Sequence, residues 1–407
     1  MQKPSRPARR LVCAALLLGL ALSPGRDWAL PPAQAQAQGG FQAFVQSLWP
    51  QARARGVSRA TFEAAFRGVE PDSKIVALTR KQSEFVRPIW DYIEGSVSAQ
   101  RLERGRQMAA EWSRTLDMVE RTYGVPRSVV LGVWGMETNF GSFTGSIYVI
   151  RALATLAYTR YRGDFFKDEL LTALQILEND HIDRDKMLGS WAGAMGQTQF
   201  MPSSFMKFAV DGNRDGVRDI WTSVPDALAS TANYLRQQGW EPGLPWGFEV
   251  KLPKGFDYRN LRLGFSSWAA LGVRRMDGQP FPRSGEAALF LPAGADGPSF
   301  LVTDNYDVIK SYNSSDAYAM GVVHLGDRIM GAGPIRAAWP KDKPLLDKDQ
   351  REELQKHLAG LGLYRGDADG KLGSKTREAV RNFQLARGLV PDGYADLAVL
   401  RELRAAR

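Results

Sequence analysis

Apolar residues return every three or four positions through much of residues 41–240, the spacing of helices that bury one face. FQAFVQSLWPQARARG (41–56), SRATFEAAF (58–66) and the long SAQRLERGRQMAAEWSRTLDMVERTYG (98–124) carry this period, with Gly and Pro as punctuation. It resumes at 126 and continues through YVIRALATLAYTR (148–160), FFKDELLTALQILEND (165–180) and VPDALASTANYLRQQGW (224–240). From about 245 the pattern shortens. GFEVKLPKGFDY (247–258), ALFLPAGADG (288–297) and SFLVTDNYDVI (299–309) alternate between Gly, Pro and Asp, which predicts strands. SDAYAMGVVHLGDRIM (315–330) predicts one more helix, and GAGPIRAAWPKDKPLLD (331–347) has the prolines and missing period of a linker. The expected class is mainly α with a small antiparallel β insertion and a separate small helical unit at the C-terminus.

The N-terminus departs from this pattern. Basic MQKPSRPARR precedes the apolar run LVCAALLLGLAL, and PPAQAQAQ then offers A-x-A cleavage sites, so residues 1–37 read as a secretory leader. The run is short for an uncleaved membrane anchor. Cys13, the only cysteine, lies inside this leader without the small residue that a lipoprotein signal places before it. A mature chain would therefore have no disulfide, zinc-thiolate site or cysteine nucleophile. Export to the periplasm is the expectation. The remaining composition is that of an ordinary globular protein, 44% hydrophobic and 24% charged. The net charge of +9 suits an anionic polymer, but dense Lys/Arg patches are lacking, so a nucleic-acid partner is not expected.

Two stretches carry candidate chemistry. In GVWGMETNFG (132–141), Val130, Val133 and Trp134 precede Glu137 by seven, four and three positions, which places them on its helical face. Glu137 would share the core-facing side near the C-terminal end of a helix that begins by Pro126 and stops at Gly141. Burial and the negative end of the helix dipole both disfavour its ionised form and raise its pKa, as a general acid requires. The plain alternative is a solvent-facing or arginine-paired glutamate. In GSWAGAMGQTQFMPSSF (189–205), small residues let backbone approach something closely, and amides and aromatics suit a sugar groove. The alternative there is a Gly-rich turn packed on a helix.

GMETNFG, AGAMGQTQFMPSSF, DIWTSVPDALASTANYL and SYNSSDAYAMGVVHLGDRI, in this order and after KQSEFVRPIWDY, resemble the lytic murein transglycosylase B family over about 41–335. The resemblance implies a lysozyme-like helical core. It implies cleavage of the β-1,4 bond between N-acetylmuramic acid and N-acetylglucosamine of peptidoglycan, with a 1,6-anhydromuramoyl end as product. Glu137 would then serve as acid and afterwards as base, aided by the substrate's N-acetyl group. Also by resemblance, Gln199 matches a substrate-binding glutamine, and Ser190 and Met195 match groove positions. Tyr234 matches a tyrosine near the acid, and Tyr312, Asn313 and Tyr318 match the closing wall of the site. Each tyrosine has a core aromatic as its alternative.

DGNRDGVRDIW resembles the start of an EF-hand loop, with Asp211, Asn213 and Asp215 at positions 1, 3 and 5, Gly216 at the turn and the Val217 carbonyl at 7. Asp219 could bind through water. Thr222 stands where the standard loop has a bidentate Glu, and Asp226 takes the place of the last ligand in longer loops of the family. Any calcium here would be structural, since the chemistry needs no cofactor. The competing reading is an Asx-rich turn with Asp226 serving a helix N-terminus.

Residues 346–407, after a linker at 336–345, resemble a small three-helix peptidoglycan-binding domain, on LGLYRGDADGKLG, T-x-x-A-V-x-x-FQ and GLVPDG. Val380 and Phe383 should point inward there. Glycan strands are the expected partner, with cell-wall synthesis or division proteins as further candidates, and a monomer is expected. A muramidase that adds water, or a wall-binding protein with a dead site, are the competing functions.

Overall fold

The computed structural model describes residues 40–81, 88–259 and 261–406, without the side chains of Arg80 and Lys81. The leader reading of 1–37, with Cys13, and residues 82–87 of KQSEFVRPIWDY lie outside the described residues. Before the sheet come α1 (Gly40–Ser47), α2 (Trp49–Ala54), α3 (Arg59–Phe66), α4 (Ser73–Lys81), α5 (Ile89–Ser96), α6 (Ala99–Glu111), α7 (Ser113–Tyr123), α8 (Arg127–Thr138), α9 (Val149–Tyr158), α10 (Phe165–Glu178), α11 (Pro202–Phe208) and α12 (Val224–Gln237). A two-residue ladder joins β1 (Ile147–Tyr148) to β2 (Leu188–Gly189). No described helix is long and apolar enough to cross a membrane.

The β insertion is a five-stranded antiparallel sheet of order β4-β6-β7-β3-β5, built from β3 (Gly247–Lys251), β4 (Arg262–Gly264), β5 (Arg274–Arg275), β6 (Glu286–Phe290) and β7 (Ser299–Val302). Phe265 and Trp268 of the short α13 (Phe265–Ala270) join Val250, Ala287 and Leu301 in its own apolar cluster. The chain then returns to the helical body through α14 (Asp304–Ile309) and α15 (Asp316–Ile329). A third cluster, Leu354, Leu358, Val380, Phe383, Leu400 and Leu403, holds together α16 (Lys348–Gly360), α17 (Ser374–Ala386) and α18 (Leu397–Ala405). Val380 and Phe383 point inward as expected, and both Asp-Gly turns use glycine in the left-handed region, with φ 72° at Gly370 and at Gly393.

Three elements differ from the sequence expectation. The segment 41–56 breaks at Leu48, and 98–124 breaks at Trp112, whose φ of −100° and ψ of 21° leave the helical region. Pro50, in the first turn of α2, marks the first break. No Gly or Pro marks the second, where Trp112 packs half-buried on the main core, so tertiary packing decides it. DNYDVI, read as part of a strand, is helical, because the Thr303 side chain caps it by accepting from the Asn305 N–H.

The pair that positions the site is α8 against α15. A Cβ at Gly132 would lie 2.2 Å from the Val322 carbonyl oxygen, and one at Gly326 would lie 2.0 Å from that of Ser128. The two helices touch backbone to backbone at both places, which only glycine permits.

Candidate active site

Glu137 is the penultimate residue of α8. Val130 and Val133 are fully buried and Trp134 nearly so, as the shared face requires. Beyond the helix the chain turns through three successive left-handed residues, Asn139, Phe140 and Gly141, at φ 49°, 58° and 72°. A bulky Phe in that region is strained, and such strain persists only where neighbours enforce it. Here Arg104 of α6 donates to the carbonyls of Asn139 and Phe140 at 3.0 and 3.3 Å, and Arg101 donates to Asn139 Oδ1 at 3.3 Å. A side chain at Gly141 would strike Gln197 Oε1 at 2.4 Å.

The carboxyl group is held from one side. Tyr318 of α15 donates its hydroxyl hydrogen to Glu137 Oε1 at 2.5 Å, while Oε2 is buried without a hydrogen-bond partner among the described residues. Burial pushes the Glu137 pKa from 4.5 up to about 7, and the Tyr318 hydrogen bond opposes that push. Among the described residues no carboxylate contributes to the rise, and desolvation is its largest cause. The phenols respond in turn: Tyr92 is pushed up to about 12, mainly by burial and then by Glu137, and Tyr312 and Tyr318 rise for the same reasons. Glu137 is thus half protonated near neutrality, ready to give or take a proton.

Removing the Tyr318 hydroxyl withdraws a bond that favours the ionised carboxylate. Tyr318→Phe is therefore expected to raise the Glu137 pKa further. A reaction that needs the protonated acid should then keep its alkaline limb to higher pH, by about one pH unit. The pH profile of kcat/KM on soluble glycan fragments measures this.

The loop 189–205 lies against the end of α8. Trp134 Nε1 donates to Gln197 Oε1 at 2.9 Å, and Thr138 Oγ1 donates to the Gln197 carbonyl at 3.1 Å. Gln199 sits at φ 51° and uses its amide on the carbonyls of Gly196 and Thr144, at 2.9 and 3.1 Å. Ser190 Oγ accepts from the N–H groups of Ala192 and Ala194, and Met195 is fully buried beside Phe200. Tyr234 donates to the Ser311 carbonyl at 2.7 Å and packs 4.5 Å from the ring of Tyr312. Tyr312 Oη reaches Thr231 Oγ1 at 3.5 Å, and Asn313 Oδ1 accepts from the Ser315 N–H. Tyr318 and Tyr312 thus gather at Glu137, Tyr234 backs Tyr312, and Met195 and Ser190 belong to the loop's own packing. Gln197, one of the amides expected to line the groove, instead ties the loop to α8. Thr138 and Tyr92 escaped the sequence reading; Tyr92 closes the KQSEFVRPIWDY motif and Thr138 follows Glu137 in GMETNFG, so motif membership was the available signal.

The 211–226 loop is an oxygen-rich turn. Asp211 accepts from the N–H groups of Arg214, Asp215 and Gly216, and Asp215 accepts from Asn213 Nδ2 at 2.8 Å and from the Val217 N–H at 2.9 Å. Asp219 accepts from the N–H groups of Trp221 and Thr222, besides the Thr222 hydroxyl. Asp226, fully buried, accepts from the N–H groups of Gly212, Asn213 and Asp219. Gly216 takes the turn at φ 93°. Among the described residues no cluster of three or more acidic or His side chains converges on one point. The donor chemistry is nevertheless that of a hard cation: carboxylates, an amide and the Val217 carbonyl.

A helical core that carries Glu137 at the end of α8, beside a small separate three-helix unit, defines a lysozyme-like class of protein. The chain belongs to the Transglycosylase SLT domain family, which matches residues 40–327. A peptidoglycan binding domain family matches residues 347–403. Membrane-bound lytic murein transglycosylase B of Escherichia coli (strain K12) is 35% identical over 228 residues, 54% of this chain and 62% of that protein's length. SltB3 from Pseudomonas aeruginosa, solved with NAG-anhNAM-pentapeptide, superimposes with a TM-score of 0.84 at 45% identity, over 89% of this chain and 99% of its own. The Escherichia coli lytic transglycosylase Slt35 in complex with calcium has a TM-score of 0.59 at 27% identity, over 72% of this chain and 94% of its own.

Proposed function

We propose that the protein is a peptidoglycan lytic transglycosylase that cleaves the β-1,4 bond between N-acetylmuramic acid and N-acetylglucosamine and leaves a 1,6-anhydromuramoyl end. The observation that carries this reading is Glu137, a carboxyl poised at about 7 by burial, with no second acid among the described residues contributing to that shift. A hydrolase of the usual kind needs two carboxylates, about 5–9.5 Å apart. One suffices if the substrate supplies its own nucleophile. Glu137 gives its proton to the glycosidic oxygen as the C1–O bond breaks. The muramoyl C6 oxygen then bonds to C1 and returns its proton to the carboxylate, so that no water enters and the acid is restored. Tyr318 holds the carboxylate between the two steps. The anhydro sugar held by SltB3 has the form of this product, and the family membership supports the same chemistry.

The test is mass spectrometry of sugars released from purified peptidoglycan. Fragments lighter by one water and lacking a reducible end are expected. Reducing ends would mean a hydrolase, and no release with the wall still bound would mean a binding protein. In this reading the C-terminal unit keeps the enzyme on the glycan, raising its local concentration. The leader would deliver it to the periplasm.

Calcium, in the same reading, is structural. Asp211, Asn213, Asp215, Asp219, Asp226 and the Val217 carbonyl would hold it and tie the loop to the start of α12. Free calcium at a hundred times Kd should then stabilise the fold by about 2.7 kcal/mol. Thermal unfolding with calcium and with a chelator measures this, and Asp211→Ala should remove the difference.

A further inference from the structure

The C-terminal unit touches the catalytic body at one charged point that leads directly to the acid. Asp316 is the first residue of α15, and its side chain is only 14% exposed. Lys310, just after α14, meets its Oδ1 at 2.9 Å, and Arg377 of α17 meets its Oδ2. Its backbone carbonyl accepts from the Tyr306 hydroxyl at 3.1 Å. Arg377 also lies over the ring of Phe290 in β6. Two residues after Asp316 comes Tyr318, whose N–H meets Ser315 Oγ at 3.4 Å and whose hydroxyl donates to Glu137. A second contact, from the Ala295 N–H to Asp392 Oδ2 at 2.9 Å, fixes the same unit against the sheet side of the body.

We propose that Asp316 is a positioning residue through which docking of the C-terminal unit, by Arg377, sets Tyr318 on the catalytic carboxyl. This rests on the reading of Glu137 as the acid. The physical argument is that a buried carboxylate shared by two cations stays where both hold it. Removing Arg377 leaves it underpaired in a poorly solvated place, and the carboxylate then gains by turning toward water. Asp316 opens α15 and its carbonyl also accepts from Tyr306, so a shift of Asp316 is passed to the first turn of α15, from which Tyr318 reaches Glu137. The wall-binding unit would thereby do more than tether: seated, it would keep the acid in its working state.

The groups that face each centre define what else could titrate. Tyr318 from α15, Tyr92 from α5 and Tyr312 from the turn after α14 face Glu137, and Arg101 from α6 faces Tyr92. Lys310 and Arg377 face Asp316, and Asp307 faces Lys310. Tyr306 of α14 also faces Asp316, donating to its backbone carbonyl.

The experiment uses the full chain and its Arg377→Ala, Arg377→Lys, Asp316→Asn and Tyr318→Phe variants, with the double variant Arg377→Ala/Tyr318→Phe. Two readouts are taken: the alkaline limb of kcat/KM on soluble glycan oligomers, and the titration of the Glu137 carboxyl carbon by 13C NMR, assigned with Glu137→Gln. Arg377→Ala and Asp316→Asn should both move the titration midpoint upward, toward that of Tyr318→Phe, and lower kcat about threefold. Arg377→Lys should restore most of it. In the Tyr318→Phe background, Arg377→Ala should move nothing further. A wild-type midpoint in Arg377→Ala, a downward shift, or a shift that persists without the Tyr318 hydroxyl would overturn the proposal. Loss of binding to whole peptidoglycan without any change in the midpoint would leave a tether only. If the wild type releases no sugar at all, the functional reading fails, and the carbon titration still decides whether Arg377 acts on Glu137.

Discussion

Glu137→Gln is expected to lower release of anhydro sugars by at least about 10³-fold, with binding to peptidoglycan intact. Proton transfer by a placed carboxyl contributes about 10²–10⁴-fold. In the proposed mechanism the same group serves both proton transfers, and among the described residues no carboxylate contributes to its upward shift. The amide keeps the shape and can neither give nor take the proton at issue. The substitution has a second consequence of opposite sign. Burial raises the folded-state pKa from 4.5 to about 7. The folded protein therefore holds this proton more tightly than the unfolded chain, and stability is fully present below pH 4.5 and is lost as pH rises through about 7. The loss corresponds to about 3 kcal/mol above pH 8. Gln carries no such charge. Glu137→Gln should match the wild type in stability near pH 4 and exceed it near pH 8, by several degrees in Tm. Thermal unfolding of both proteins at the two pH values measures this. A variant that is dead and equally stable at both would mean the carboxylate is solvated, and the acid assignment would lose its physical basis.

How far the chain could be read in advance follows from which interactions are local. The helical body, the antiparallel insertion and the three-helix tail follow from periods of a few residues, and the structure has all three. The break at Trp112 did not show, because what bends the chain there is packing against distant residues, whereas Pro50 was a local signal for the break at Leu48. The α14 helix hid behind the strand SFLV, although Thr303 with Asp304 and Asp307 after it is a helix start. At the site, the burial of Glu137 was legible from Val130, Val133 and Trp134 on its face. Its contact with Tyr318 was not legible from spacing, since 181 residues separate the two. That tyrosine entered only through a resemblance of motifs. The small residues of 189–205 were read as backbone opened toward a ligand. In the fold, several meet protein instead: a Cβ at Gly189 would lie 2.2 Å from the Ala194 oxygen, and one at Gly196 would lie 2.6 Å from that of Ile220. A bare backbone looks the same in sequence whether a sugar or another loop fills the space.

The contact between α8 and α15 makes the other large prediction, because both partners of the acid site ride on these two helices. Ala is ordinarily the better helix former, by about 1 kcal/mol over Gly in an open helix. Gly95 in α5 is such a place, with nothing within 4 Å of an added Cβ, and Gly95→Ala should stabilise slightly. Gly326→Ala should do the reverse. Its methyl group would stand 2.0 Å from the Ser128 carbonyl oxygen and 2.7 Å from the carbonyl carbon, and backbone cannot step aside as a flexible side chain does. The helices must separate by an ångström or more. Overpacking of this kind costs about 3 kcal/mol, well beyond the propensity gained. Gly132, whose own Cβ would meet the Val322 oxygen at 2.2 Å, makes the contact reciprocal, so sliding one helix along the other relieves neither clash. The separation also carries Tyr318 away from Glu137, and turnover should fall about tenfold while the alkaline limb moves up, as it does without the phenol. Denaturant unfolding and the pH profile together check this. Stabilisation by Gly326→Ala would show that the helices do not meet there, and the geometry that joins Tyr318 to Glu137 would have to be built some other way.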